Sequence, residues 1–242
     1  MSRNLVWTVN INNHFSENAR QSLSHAADRW KCDFLEIRTL FDERLYPSFA
    51  KTASLEKIEG YDRCVFFDSD MLIHIDAPNP FDTFQDRTKF VAVLDIHPQN
   101  HDHNSEQWLT VKGNVQEHYW HILDEQFGWN VPKERFLDNF FNSGFFVMTP
   151  KYHKTIFKVL SKAFPLSDGR EKYAWSAHYE QALFNYVVQA YRKEDLLLTE
   201  EKWNRLEPPI ESPKMQDYVW HFTGFNFWKS KHTIHNYDWR KQ

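Results

Sequence analysis

Short apolar runs without polar alternation are the feature of this sequence that most restricts its fold. Residues 64–67 (Cys-Val-Phe-Phe) and 90–94 (Phe-Val-Ala-Val-Leu) contain no charged or hydrogen-bonding polar side chain apart from a thiol. A strand with one face in water alternates apolar and polar residues, so both segments are predicted to be strands buried on both faces. Such strands are typical of α/β proteins, in which helices cover the two faces of the sheet.

Segments with helical spacing separate these strands. A β-rich segment over residues 5–11 precedes a predicted helix capped by Ser16, and a second strand is predicted over residues 33–37. Between Pro47 and Gly60 we expect another helix, because proline suits the first turn of a helix and glycine the position just past its end. The order strand, helix, strand, helix, strand predicts a mostly parallel central sheet with helices on both faces.

The second half of the sequence predicts a more mixed set of elements. Helical spacing recurs over residues 115–127, from Pro150 onwards and over about 175–191. A strand over residues 140–148 is predicted to be interrupted by its Asn-Ser-Gly, and a final strand is predicted over 218–222. Since no repeat, low-complexity tract or linker divides the chain, we expect a single domain.

Composition and charge exclude several classes of protein. Lysine and arginine number 29 against 33 aspartate and glutamate residues, so the net charge is −4 and the basic face of a nucleic-acid binder is not expected. No apolar run approaches the roughly 20 residues that cross a bilayer, and the N-terminal residues lack the apolar core of a signal peptide. Cys32 and Cys64 form neither a disulfide framework nor a metal quartet, so a reducing, cytoplasmic location is expected.

Aromatic residues make up 17% of the chain. Either they fill the core, or some of them line a cleft for a sugar or a nucleotide, because Trp and Tyr offer flat faces with a polar edge. Composition does not choose between these alternatives.

Two carboxylates directly follow the first buried run. Asp68 and Asp70 are two residues apart, so in an extended chain both point to the same side, at the end of a strand where open α/β sheets bind ligands. Two carboxylates this close repel each other unless a cation lies between them. A hard divalent ion that also binds a diphosphate meets this need, whereas two solvated carboxylates in a turn are the simpler alternative.

Three further polar segments stand out, and each has a structural alternative. Asn142, in the Asn-Ser-Gly of the predicted strand, marks either a ligand site or a plain bulge. Glu180 and Gln181, near a helix start, face either the same cleft or the solvent. His221, at the end of an apolar run with Gly224 three residues on, is either a metal ligand or a core histidine.

In this order, the four segments resemble the motifs of family 8 glycosyltransferases, GT-A-fold enzymes that include glycogenin and the bacterial lipopolysaccharide galactosyltransferases. The resemblance extends from about residue 5 to residue 229, and it depends on the order of the motifs because an Asp-x-Asp alone is weakly specific. It implies one GT-A (Rossmann-like) α/β domain over residues 1–242. Within it, residues of about 1–95 would form the nucleotide-binding half and about 96–242 the sugar and acceptor half.

The resemblance also implies a reaction: transfer of a sugar from a UDP-sugar to a hydroxyl of a glycan, glycoprotein or glycolipid, with retention of the anomeric configuration. Its metal ligands would be Asp68, Asp70 and His221, and the imidazole favours Mn²⁺ over Mg²⁺. For retention, either Glu180 or Asp95 acts as a nucleophile, or the acceptor attacks on the face from which UDP leaves.

Further site residues follow from the same resemblance. Those that would bind the nucleotide or its phosphates are Thr8, Asn10, Phe15, Lys51, Ser69, Gly224 and Lys229. Those that would surround the donor sugar and take part in catalysis are Asp95, Asn142, Glu180 and Gln181. Because an amide is a poor nucleophile, Gln181 would stabilise the oxocarbenium-like centre.

The C-terminal motif departs from the family pattern. The family commonly has a lysine at the position of Phe227, so either Lys229 contacts the phosphate from a shifted position or that charge is missing. A polar loop with His97, His101 and His103 matches no zinc-site spacing and is expected to be solvated. If that loop is functional, it would border the acceptor site or close over the donor.

Two other functions stay open at the level of sequence. Phosphatases and phosphotransferases also place an Asp-x-Asp after a buried strand, although generally after the first strand and followed by Thr or Val rather than by Met71. The aromatic content also fits a non-catalytic sugar-binding module, which would not need to bind UDP. UDP affinity and phosphatase activity therefore separate the three functions.

Overall fold

The centre of the fold is a mixed sheet of six strands. The computed structural model describes residues 3–11, 17–40, 49–95, 105–163, 177–206, 217–222 and 239–240, with the backbone alone for 105–115 and 177–179. In chain order the strands are β1 (Asn4–Val9), β2 (Asp33–Ile37), β3 (Arg63–Phe67), β4 (Met71–Ile73), β5 (Phe90–Leu94), β6 (Phe141–Met148), β7 (Leu196–Thr199), β8 (Arg205–Leu206) and β9 (Val219–His221). The six-stranded sheet has the spatial order β2-β1-β3-β6-β5-β7, and a second sheet has the order β4-β9-β8.

Most pairings of the central sheet are parallel. Strand β1 is parallel to β2 and β3, and β5 is parallel to β7. Strand β6 runs antiparallel to both β3 and β5. The predicted α/β architecture with a mostly parallel sheet is therefore confirmed. The reversal of β6 was not predicted, because a strand buried on both faces has the same apolar pattern in either direction.

Helices cover both faces of this sheet, as predicted, but unequally. In chain order they are α1 (Glu17–Arg29), α2 (Ala50–Ala53), α3 (Leu55–Ile58), α4 (Pro80–Thr83), α5 (Ser105–Phe127), α6 (Lys133–Asp138), α7 (Pro150–Ala163) and α8 (Ala177–Tyr191). Trp7 and Phe66 point to one face, where they share a core with α2, α3 and α5 to α8. Val6 and Val65 point to the other face, where they share a core with α1, α4 and the small sheet.

The strand predicted over residues 140–148 is not interrupted at its Asn-Ser-Gly, so this part of the prediction is wrong. All eight residues of β6 are buried and in strand conformation. The irregularity lies in its pairing with β5, where Ala92 is opposite Phe146 and the next residue, Val93, is opposite Asn142. Ser143 and Gly144 therefore lie in a bulge of the β5–β6 ladder, next to the carboxyl end of β3.

The predicted helix between Pro47 and Gly60 is also corrected. Two one-turn helices, α2 and α3, meet at Ser54, whose hydroxyl donates to the carbonyl of Lys51 at 2.7 Å. Serine competes for backbone hydrogen bonds within a helix and so favours a break. Gly60 lies beyond α3 without the positive φ of a glycine C-cap, while Ser16 and Pro47 lie outside the described residues.

Aromatic residues fill the core of the described part of the chain. The largest fully buried side chains are all aromatic: Trp7, Phe66, Phe67, Phe90, Phe136, Phe141, Phe145, Phe146, Phe157, Phe184, Tyr186 and Trp220. The ring centroids of Phe66 and Phe146 are 5.0 Å apart, and those of Phe90 and Phe146 are 5.4 Å apart. Of the two explanations of the aromatic content, core packing accounts for these rings.

Within the described residues, no helix has the length and apolar character needed to cross a bilayer. Cys32 and Cys64 are both free thiols. The cytoplasmic location stays a prediction.

Candidate functional site

The two motif aspartates and His221 meet at the carboxyl end of β3. Asp68 follows β3 directly, and Asp70 precedes β4. Strand β9 pairs with β4 so that His221 is opposite Met71, and the backbone N–H of Phe222 donates to the carbonyl of Asp70 at 3.1 Å. The small sheet therefore places the histidine beside the aspartates, with His221 Nε2 3.2 Å from Asp70 Oδ1 and 3.7 Å from Asp68 Oδ2.

These three side chains suit a divalent cation. Each offers one ligand atom, and the three atoms lie within 4.8 Å of one another. Asp70 Oδ1 is buried and accepts no hydrogen bond of ordinary geometry from the described residues. Two carboxylate oxygens and one imidazole nitrogen form a donor set that Mn²⁺ accepts well and Mg²⁺ also tolerates. The residues present therefore fit the metal that the sequence resemblance implies.

The protonation of this group follows from its charges. Burial alone would lower the pKa of His221, but the nearby charges of Asp70 and Asp68 outweigh it, so the pKa is raised. Burial raises the pKa of Asp68, and Asp70 adds to this, although Lys51 acts in the opposite direction. A proton on His221 reduces the repulsion between the carboxylates of Asp68 and Asp70, and a cation bound among the three side chains would do the same.

Lys51 is a buried cation held between two carboxylates. Its Nζ lies 3.4 Å from Asp68 Oδ1 and 3.3 Å from Glu180 Oε2, and it donates to Ser143 Oγ at 3.0 Å. The side chain is 6% exposed and passes over the ring of Phe66, 5.2 Å from its centroid. Burial would lower the pKa of Lys51, but the two carboxylates raise it overall, so the ammonium keeps its charge.

Glu180 belongs to the interior and not to an exposed helix surface. Its side chain is 2% exposed, and Oε2 contacts Lys51 and accepts a 3.4 Å hydrogen bond from Ser143 Oγ. Burial raises the pKa of Glu180 to about 7, although Lys51 opposes the increase. Residues 180–189 of α8 are all buried, so the solvent-facing alternative for this segment is wrong.

Asp95, Asn142 and Gln181 form a hydrogen-bonded group beside the lysine. Asp95 follows β5, and its Oδ2 accepts from Gln181 Nε2 at 3.0 Å while its Oδ1 accepts from Asn142 Nδ2 at 3.4 Å. Gln181 Oε1 accepts from the backbone N–H of Ser143 at 3.0 Å. Asn185, one turn further along α8, pairs with both backbone groups of Phe141 at 2.8 Å and so fixes α8 against β6.

Gly144 has no space for a side chain. A Cβ atom at this position would lie 2.5 Å from His221 Cε1 and 2.8 Å from both Asp68 Oδ2 and Asn142 Oδ1. Its carbonyl accepts from the backbone N–H of Asp68 at 2.8 Å. Glycine is therefore required here by the close approach of the site to the β6 backbone.

Asn204 is a site residue that sequence reasoning missed. It follows the 3₁₀ turn Glu201–Trp203 and is 1% exposed. Its Nδ2 donates to Asn142 Oδ1 at 2.9 Å, and its Oδ1 contacts His221 Nδ1 at 2.8 Å. Nothing in the local sequence Glu-Lys-Trp-Asn-Arg distinguishes it from a loop asparagine.

Three further residues that were predicted to bind the nucleotide lie within the described part of the chain, at the same edge of the sheet as the aspartates. Thr8 and Asn10, at the end of β1, are buried, and no described residue is a hydrogen-bond partner of Thr8 Oγ1 or Asn10 Oδ1. Ser69 is also buried. The remaining predicted positions, namely Phe15, Gly224, Lys229 and the histidines of residues 97–103, lie outside the described residues.

Comparison with known proteins relates this fold to glycosyltransferases. No protein-family model matches the chain, and no curated protein sequence matches it. Among solved structures, a glycosyltransferase involved in glycosylation of the major capsid of PBCV-1 has a TM-score of 0.57 and 11% identity, over 96% of this chain and 98% of that one. The galactosyltransferase LgtC, solved with donor and acceptor sugar analogs, has a TM-score of 0.53 and 10% identity, over 98% and 99%.

A larger protein also contains this fold. The bifunctional glycosyltransferase WbbM has a TM-score of 0.56 and 14% identity over 99% of this chain, which spans about half (51%) of that chain. Since the identities are so low, these likenesses concern the fold. The chain therefore has the GT-A fold that its sequence predicts.

Proposed function

We propose that this chain, with the fold of GT-A glycosyltransferases, is itself a glycosyltransferase that uses a UDP-sugar as donor. The acceptor would be a hydroxyl of a glycan, glycoprotein or glycolipid. The observation that carries the proposal is the convergence of Asp68, Asp70 and His221 with a buried lysine at the carboxyl end of β3. In open α/β sheets this edge is where nucleotide ligands bind.

Asp68, Asp70 and His221 would hold Mn²⁺, or Mg²⁺ in its place. When bound, the ion stabilises the charge that develops on the leaving diphosphate. The side chain of His221 is 4% exposed, whereas the side chains of Asp68 and Asp70 are 30% and 21% exposed. The carboxylates are therefore on the open side of the group, where a diphosphate would approach.

Lys51 would reduce the negative charge of the site where the diphosphate binds. Its ammonium offsets the charges of Asp68 and Glu180, which would otherwise repel an anionic donor. A charged, buried lysine held by oxygen atoms of Asp68, Ser143 and Glu180 is also fixed in position, so it loses little entropy when the donor arrives.

Asp95 and Glu180 would bind hydroxyls of the donor sugar. Asp95 lies in the hydrogen-bonded group with Asn142 and Gln181. The carboxylate of Glu180 has about four acceptor positions, and its contacts with Lys51 and Ser143 use only some of them. Among the described residues, none is a hydrogen-bond partner of the buried Glu180 Oε1. We propose retention of the anomeric configuration, with Asp95, Glu180 or same-face attack by the acceptor as the alternatives, and with Gln181 beside the anomeric carbon.

We propose a single domain over residues 1–242, with a nucleotide-binding half of about 1–95 and a sugar and acceptor half of about 96–242. Thr8, Asn10 and the two motif aspartates come from the first half, and Asn142, Glu180 and Gln181 come from the second. His221 belongs to the second half but contacts the aspartates of the first. The two halves would therefore share one site.

Calorimetric titration of UDP into the protein, with Mn²⁺ and then with EDTA, tests the proposal. We expect micromolar, metal-dependent binding, on the order of −8 kcal/mol, and no metal-dependent binding in Asp70→Asn. A panel of UDP-sugars would then be assayed for hydrolysis and transfer, and NMR of the product would give the anomeric configuration. Asp138→Asn is the control, because this aspartate is exposed at the end of α6.

Each alternative function predicts a different result. A phosphatase would hydrolyse p-nitrophenyl phosphate without any dependence on UDP, with Asp68 as nucleophile. A sugar-binding module would bind free sugars and not UDP. Either result in a folded sample would contradict the glycosyltransferase proposal.

A further inference from the structure

A chain of hydrogen bonds connects Asp95 with His221 through two asparagines. Asn142 Nδ2 donates to Asp95 Oδ1 at 3.4 Å, and Asn204 Nδ2 donates to Asn142 Oδ1 at 2.9 Å. Asn204 Oδ1 lies 2.8 Å from His221 Nδ1. Asn142, Asn204 and His221 are 7%, 1% and 3% exposed, so water does not compete for these contacts.

The orientation of the side-chain amide of Asn142 is fixed by contacts at both of its ends. An ionised carboxylate only accepts hydrogen bonds, so the amide edge that faces Asp95 must be the NH₂ group. The backbone N–H of Gly144 only donates, and it lies 2.9 Å from the other edge of Asn142. That edge must therefore be the oxygen, and Asn142 cannot turn over without losing both contacts.

The orientation of the Asn204 amide and the position of the proton on His221 follow from the orientation of Asn142. Because Asn142 presents its oxygen, Asn204 must present its NH₂ group, and this leaves Asn204 Oδ1 facing the imidazole. An amide oxygen accepts only, so His221 Nδ1 must carry a proton. Nε2 faces Asp70 Oδ1 and Asp68 Oδ2, so with Nδ1 protonated its lone pair is available to a cation that lies among these atoms.

We infer that Asn204 is a positioning residue that fixes the tautomer and ring orientation of His221 for metal binding. The inference rests on the proposed function in so far as it assigns His221 a metal. Histidine ligands of metals generally donate their other N–H to an oxygen acceptor, and loss of that acceptor costs about 10- to 100-fold in metal affinity. Through Asn142, the same chain ties the metal ligand to Asp95, which faces the donor sugar in the proposed site.

The test compares Asn204→Leu with Asn204→Asp. Leucine removes the acceptor for His221 Nδ1, and we expect Mn²⁺ affinity, measured by calorimetry without UDP, to fall about 10- to 100-fold. Aspartate keeps an oxygen facing His221, so Asn204→Asp should retain more Mn²⁺ affinity than Asn204→Leu. The control is Gln189→Leu, another buried amide, which donates to the carbonyls of Phe136 and Asn139. It should leave Mn²⁺ affinity unchanged.

A spectroscopic measurement tests the inference without any metal. Nitrogen-15 NMR of the imidazoles in metal-free protein should show His221 Nδ1 protonated and hydrogen-bonded. In Asn204→Leu this Nδ1–H signal should move because its acceptor is lost, and in Gln189→Leu it should not move. A purely structural role for Asn204 would lower stability in both leucine variants without moving the signal.

The outcomes separate this inference from the proposed function. If the wild type binds Mn²⁺ but Asn204→Leu binds it equally well, the inference is overturned and the function stands. If the wild type does not bind Mn²⁺, the proposed metal site is wrong, and the tautomer measurement still decides the role of Asn204. A His221 Nδ1 without a proton in the wild type would overturn the inference on its own.

Discussion

At the scale of single residues, Gly144 is the position where the β6 backbone comes closest to the site. In Gly144→Ala the new Cβ would meet His221 and Asp68 at less than 3 Å, so we expect Mn²⁺ affinity to fall at least about 10-fold as the ligands move apart. Calorimetry of Mn²⁺ binding measures this. Gly60→Ala is the matched control, since no atom of the described residues lies within 4 Å of a Cβ there. Equal affinity in the two variants would show that the site accommodates a methyl group.

Lys51 gives a second prediction at this scale. Lys51→Ala should raise the KM for the UDP-sugar, because the positive charge beside the diphosphate is lost. It should also lower the free energy of unfolding by roughly 3–5 kcal/mol, since Glu180 would be left buried without its cation. Steady-state kinetics and urea unfolding measure the two effects, with the exposed Lys158→Ala as control.

A second substitution separates the two effects of Lys51. Adding Glu180→Gln to Lys51→Ala removes the unpaired buried charge, so part of the lost stability should return. The affinity for UDP, which lacks the sugar that Glu180 would bind, should stay low. An unaltered KM in Lys51→Ala would remove this lysine from the donor site. Recovery of UDP affinity together with stability would mean that the change in donor binding was a consequence of unfolding.

At the scale of elements, His153 anchors the start of α7. Its Nδ1 accepts from the backbone N–H of Thr149 at 3.0 Å, and its Nε2 lies 2.9 Å from the carbonyl of Thr88. Burial lowers the pKa of His153 from its ordinary value of 6.5. The unfolded chain therefore binds this proton more readily than the native protein, and the stability contributed by neutral His153 is lost as the pH falls below about 6.5.

The variant His153→Gln tests this pH dependence. At pH 7.5 the variant should be less stable than the wild type by about 1–3 kcal/mol, because it leaves buried backbone groups unpaired. At pH 5.5 the difference should be smaller, because the wild type alone has lost stability through protonation of this group. Urea unfolding at the two pH values gives the comparison. A constant difference for His153→Gln would contradict the prediction.

The strands also show what local sequence does and does not determine. The apolar runs of β3 and β5 correctly predicted strands buried on both faces. Burial on both faces also explains why the antiparallel direction of β6 was not predicted. The apolar pattern of a strand shows which of its faces are buried, but it is the same in either direction. The polar Asn-Ser-Gly segment of β6 conflicts with its apolar surroundings, and the sequence shows this conflict. That the segment forms a bulge depends on its pairing with β5, which the local sequence does not show.

At the scale of the whole molecule, the proposed metal site joins distant parts of the chain. Asp68 and Asp70 lie near the first third of the sequence, whereas His221 lies near its end. A ligand that binds only when these parts are folded together stabilises the fold by mass action, by about 2.7 kcal/mol at 100 times its Kd. For a chain of this size we therefore expect Mn²⁺ and UDP together to raise Tm by roughly 5–10 °C.

Thermal unfolding of Asp70→Asn completes that prediction. The variant should fold, because Asp70 is 21% exposed and partly solvated, but Mn²⁺ and UDP should no longer raise its Tm. It should also lack transfer activity. A full ligand-induced increase of Tm in this variant would place the metal elsewhere.

The sequence by itself determined the α/β class, the strands that lie in the centre of the sheet, and the carboxylates at the end of β3. These features depend on periodicity and burial over a few neighbouring residues, which the order of amino acids records directly. The tertiary structure alone decided the direction of β6, the approach of His221 through β9, and the site role of Asn204. Asn204 contacts Asn142 across 62 positions of the chain and His221 across 17. Contacts of this kind depend on the path of the backbone between elements, because a polar side chain has the same local sequence signature whether its partner is water or a distant residue.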